Sequence, residues 1–60
     1  MKLKDYYGKS VLVSDTHGNQ HTGIVELYTQ PNDNDGKEAI ALSSGVWLDD
    51  DEIKSITETE

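Results

Sequence analysis

Sixty residues make one small domain, residues 1–60, and a chain of this length buries only about 60% of its unfolded surface. Five lysines, no arginine and twelve acidic residues give a net charge of −7, with 33% hydrophobic residues and a mean hydropathy of −0.70. No apolar run approaches the ~20 residues of a membrane span, no cysteine is present for a disulfide or zinc–thiolate centre, and no basic-then-apolar leader is visible, so a soluble, cytoplasmic, acidic domain is expected.

Residues 3–8 (LKDYYG) predict a short helical turn ended by Gly8, with Leu3, Tyr6 and Tyr7 on one side. One of the two tyrosines is expected to pack and the other to stay exposed. The β-branched run SVLVS, residues 10–14, predicts the first strand. DTHGNQ is turn chemistry, because Gly18 and Asn19 both tolerate positive φ. HTGIVELYT, residues 21–29, predicts the second strand, and Gly23 inside it marks a sharp bend or a close backbone approach.

A three-residue loop of His17, Gly18 and Asn19 would oppose Val13 to Gly23 and Val11 to Val25. Val11, Val13, Val25 and Leu27 then share the core face, and Leu12 and Ile24 take the other. A one-residue slip would oppose Val11 to Glu26 and bury a charge. Leu3, Tyr6 and Tyr7 are expected to cover Leu12 and Ile24.

QPNDNDGK, residues 30–37, is the longest polar connection, punctuated by Pro31 and by Asp35 before Gly36. EAIALS alternates and predicts a third strand, with Ile40 and Leu42 against Ala39 and Ala41. A tight turn over residues 43–45 leads to a short fourth strand, residues 46–48 (VWL). DDDE, residues 49–52, suits one helical turn with its acids near the positive end of the dipole. IKSIT, residues 53–57, predicts the fifth strand before a frayed TETE end. Five short strands at regular spacing predict a small all-β barrel.

This order of features resembles the Sm-like family of small barrels, relatives of the SH3-like barrels. GKSVLV matches the family's G-x-x-V-x-V strand, THGNQHTGIVELY its glycine turn and bent second strand, and VWLDDDEIKSI its closing strand. The resemblance covers residues 3–57 and implies an all-β, five-stranded SH3-like or Sm-like barrel with a short N-terminal helical turn. Family members that hold RNA carry Asp-x-x-x-Asn after the second strand and Arg-Gly or Lys-Gly before the last. Here YTQPNDNDGKEAI and the acids Asp50, Asp51 and Glu52 stand in those places, so no RNA-contact residue transfers. Fold alone does not carry function. The resemblance also implies rings in which the fourth strand pairs with the next subunit's fifth. A short fourth strand and the repulsion of acidic subunits argue instead for a monomer or a two-fold dimer.

The lysines (Lys2, Lys4, Lys9, Lys37 and Lys54) are scattered rather than clustered, and the forked guanidinium is missing, so nucleic acid is not the expected partner. His17 and His21 have an H-x-x-x-H spacing, but Gly18 and Asn19 oppose a helix there, and both read as surface turn residues. Asp33-x-Asp35-Gly36 matches part of a calcium loop, yet Pro31 and Leu42 fall on ligand positions and break it. The serines have only two histidines to share, in one turn, so no enzyme, metal or cofactor is expected.

Interaction candidates remain. If Val46 and Leu48 face the core, alternation turns Trp47 outward; if Trp47 faces inward, it is the largest core residue. An outward Trp47 near Tyr28 would be an interface anchor, with Tyr7 a further exposed aromatic. Asp49, Asp50, Asp51 and Glu52 form a negative patch, either a solvated turn or a site for a cation or a basic partner. The expectation is a non-catalytic interaction or assembly module for a protein partner. The alternative is a nucleic-acid-related role, as an Sm-like RNA associate or as an acidic DNA mimic that blocks a basic protein.

Overall fold

The computed structural model describes residues 3–31 and 36–59. A 3-10 turn η1 (Leu3–Tyr6) precedes β1 (Ser10–Asp15) and β2 (Gln20–Thr29). After the connection come β3 (Ala39–Leu42), β4 (Trp47–Asp49), a second 3-10 turn η2 (Asp50–Glu52) and β5 (Ile53–Glu58). The strands form one antiparallel sheet in the order β4-β3-β2-β1-β5. All-β is therefore the observed class, but the sheet is not closed into a barrel. β4 and β5 are its two edges. The element Asp33-x-Asp35 lies outside the described residues.

The first hairpin has a three-residue loop, but one residue earlier than the spacing suggests. Asp15 N–H donates to the Asn19 carbonyl at 2.9 Å, leaving Thr16, His17 and Gly18 in the turn. Gly18 takes φ +87°, the left-handed position that closes a type I turn in hairpins of this length. Val11 consequently opposes Gly23, and Val13 opposes His21. This register differs by two residues from the predicted one, so the faces keep their identity.

β2 serves two partners. Its first half pairs with β1 up to Ile24, and from Val25 onward it pairs with β3. Gly23 lies just before this changeover, with φ +151°. An added Cβ there would sit 2.9 Å from Ser43 Oγ and 3.4 Å from Leu42 Cβ. Ser43 N–H donates to the Ile24 carbonyl at 2.8 Å, and Ile24 N–H donates to Ser43 Oγ at 2.9 Å, so the end of β3 is tied against this part of β2. Of the two predicted roles of Gly23, the close backbone approach is present.

One bulge corrects the predicted core. Val25 opposes Leu42, but Leu27 opposes Ala41, so Glu26 is an extra residue in β2. Inside–outside alternation inverts beyond it: Tyr28 packs against the core and Leu27 is 56% exposed. A second bulge lies in β5, where Ser14 opposes Ser55 and Asp15 opposes Ile53. It lets Ile53 and Ile56, three apart, both reach the core, which simple strand alternation forbids.

The core is Leu3, Val11, Val13, Val25, Ile40, Leu42, Leu48 and Ile53, with Tyr6, Tyr28, Val46 and Ile56 packed against it. Leu3 is fully buried on this face, which corrects the expectation that η1 covers Leu12 and Ile24. The turn folds over the valine face of β1, and Ile24 stays exposed. Tyr6 packs and Tyr7 is exposed, as expected.

Candidate interaction face

Pairing register builds a row across the outside of the sheet. Leu27 opposes Ala41, and Ala41 opposes Trp47, so the three side chains point the same way on adjacent strands. Leu48 and Val46 take the core side, and Trp47 is 48% exposed, which settles its orientation. At the other end, Leu27 joins Tyr7, Tyr28 and Lys4 in lining an open depression of about 340 Å³. Leu27 and Trp47 are thus exposed large side chains in one row, joined through the small Ala41, and the exposed Tyr7 shares the depression beside Leu27.

Tyr28 does not stand beside Trp47 as expected. The Glu26 bulge places it opposite Ile40, on the core side. Its hydroxyl donates to Glu38 Oε2, and that carboxylate, with some burial, pushes the phenol up to about 12. Leu27 is the neighbour that Trp47 gains instead. Only the bulge exposes it, so strict alternation could not have found it.

The four acids are each held locally. Trp47 Nε1–H donates to Asp49 Oδ1 at 3.0 Å, the two residues lying two apart on the same side of an edge strand. Asp49 N–H donates to Glu52 Oε1 at 3.0 Å, one half of a capping box at η2. Asp50 Oδ2 accepts from Glu38 N–H at 3.2 Å. Asp51 Oδ2 pairs with Lys37 Nζ at 3.0 Å, which raises the lysine above its usual range. Carboxylate oxygens of Asp49, Asp51 and Glu52 fall within 4.8 Å of one another, a spacing that a metal ion could bridge.

Asp15 escaped the sequence reading. It is 7% exposed, at the rim of the core face. Its Oδ1 accepts the N–H groups of His17 and Asn19, each at 2.9 Å, and its Oδ2 lies 2.9 Å from His21 Nε2. The His21 contact, aided by those backbone donors, holds the carboxyl down at about 2. His21 is therefore a half-buried partner of Asp15 rather than a plain surface turn residue, while His17 remains exposed. The signal was present as Asp before a tight turn, where a carboxylate commonly accepts turn N–H groups.

Fold and face together define a small, open, five-stranded antiparallel β domain with an exposed aromatic and aliphatic row that ends in acids. No family model, curated protein or solved structure matches the chain. Among the described residues, no helix is long and apolar enough to cross a membrane.

Proposed function

We propose that this domain is a non-catalytic interaction or assembly module, an open-sheet relative of the Sm-like or SH3-like small barrels, and that the exposed face of Tyr7, Leu27, Ala41 and Trp47 meets a protein partner. The strand order, the positive-φ glycine inside β2 and the 3-10 turn joining β4 to β5 support that kinship. The observation that carries the function is the row itself. A core of eight buried apolar side chains forms without Leu27 and Trp47, so folding does not need them on the outside. Aligned exposed apolar side chains mark contact surfaces more often than singly scattered ones do. The net charge of −7 favours a basic partner and opposes large rings of this chain, leaving a monomer or a two-fold dimer.

Site-specific photo-crosslinking tests the reading. A photoreactive amino acid at Leu27 is expected to yield a discrete adduct with one polypeptide in cells, identified by mass spectrometry. The same group at the exposed Thr57, on β5 at the far edge, is expected to yield none. Equal adducts from both positions, or none from position 27, would overturn it.

A further inference from the structure

We propose that the Trp47 end of the row receives a lysine or arginine side chain of the partner protein; this rests on the interaction reading above and adds the chemistry of the contact. The indole is 48% exposed, and its one donor is already given to Asp49 Oδ1 at 3.0 Å. The ring is thereby fixed, and what it offers a partner is its π face and edge rather than a hydrogen bond. A cation over a tryptophan face is attracted by the ring quadrupole, and arginine is the commonest such partner.

Charge complementarity selects this end and this occupant. The carboxylates of Asp49, Asp51 and Glu52 lie within 4.8 Å of one another beside the ring's own hydrogen-bond acceptor. Lys37 pairs with Asp51 at 3.0 Å and leaves this end of the face negative. The opposite end carries Lys4 beside Tyr7, where an incoming cation would be repelled. Between them, Ala41 gives a low floor with Leu27 and Trp47 two strands apart, roughly 10 Å from backbone to backbone. That gap accepts an apolar side chain next to the cation. A second copy of this chain fits poorly, since it too carries −7 and has no arginine.

Trp47 is the sole tryptophan, so its fluorescence reports on the site alone. The probe is a short synthetic peptide of alternating arginine and leucine, compared with its citrulline counterpart, which keeps shape and loses charge. The arginine peptide is expected to shift Trp47 emission and to bind about two- to fivefold tighter than the citrulline peptide. High salt should shrink that margin. Asp49→Asn keeps an oxygen for the indole N–H and removes the charge, and should bring the two peptides closer together. Trp47→Leu, followed by calorimetry, should reduce the preference while retaining apolar binding, and an undiminished preference would overturn the role of the ring. Circular dichroism of both variants checks that the fold is kept. Equal binding of the two peptides, with crosslinking from position 27 intact, overturns this proposal alone; loss of that crosslinking overturns the interaction reading as well. A stronger emission shift with single-stranded RNA than with the arginine peptide would also overturn it, because a stacked base would then be the occupant.

Discussion

Gly23 lies against Ser43 where β2 passes from pairing with β1 to pairing with β3. A Cβ at residue 23 would stand 2.9 Å from the serine Oγ, at a backbone φ of +151°. Gly23→Val should therefore destabilise the domain by roughly 1–3 kcal/mol, through backbone strain and through displacement of Ser43 from the Ile24 N–H. Urea unfolding measures it. A change within about 0.5 kcal/mol would mean that β2 tolerates a side chain there and does not lie close against Ser43 as described.

The Glu26 bulge makes a paired prediction about two leucines. Leu42 is 2% exposed and Leu27 is 56% exposed, although strict alternation would bury both. Leu42→Ala should cost about 2–5 kcal/mol, whereas Leu27→Ala should stay within about 0.5 kcal/mol. Comparable losses for the two variants in thermal or urea melts would place Leu27 back in the core and remove the row.

Asp15 makes stability depend on acid in a defined window. Its carboxyl is held at about 2 in the folded chain, by His21 first and then by the turn N–H groups. An unfolded aspartate titrates near 3.9. Between those values the unfolded chain binds more protons than the folded one, so the contribution of Asp15 is full above about pH 4 and is lost as pH falls through about 2. Asp15→Asn should be less stable at neutral pH. Its stability should also fall less steeply than that of the wild type over this window, in melts recorded at successive pH values. Identical slopes would show that the carboxylate is not held.

Tyr28 offers an opposite test at high pH. The Glu38 carboxylate raises its phenol to about 12, so folded Tyr28 keeps its proton longer than an unfolded tyrosine near 10. The stabilisation is full below pH 10 and is lost as pH rises through about 12. Ultraviolet titration should show the Tyr28 phenol ionising late, moved to lower pH by Glu38→Gln. A Tyr28 phenol that titrates at the ordinary value, unmoved by Glu38→Gln, would rule out the contact.

Sedimentation at low and high salt addresses self-association. Monomers or dimers are expected at both, since charges on neighbouring subunits repel most where the Debye length is longest, about 10 Å at 0.1 M and longer below it. A stable ring at low salt would overturn that expectation.

Much of this domain is visible in its residues. Apolar alternation, the β-branched runs and the glycines located the strands to within a residue or two. Val11, Val13 and Val25 kept their face even though the hairpin register moved by two, because side chains repeat every second residue. Gly23 announced the close approach because few other residues adopt its backbone angle beside a neighbouring strand. What the chain's own pattern could not decide was which way a residue faces beyond a bulge. An extra residue such as Glu26 or Lys54 is specified by the partner strand's register, not by local propensity, and it inverts every side chain after it. Tertiary structure alone therefore turned Tyr28 inward and Leu27 outward, aligned Leu27 with Trp47, and brought His21 onto Asp15.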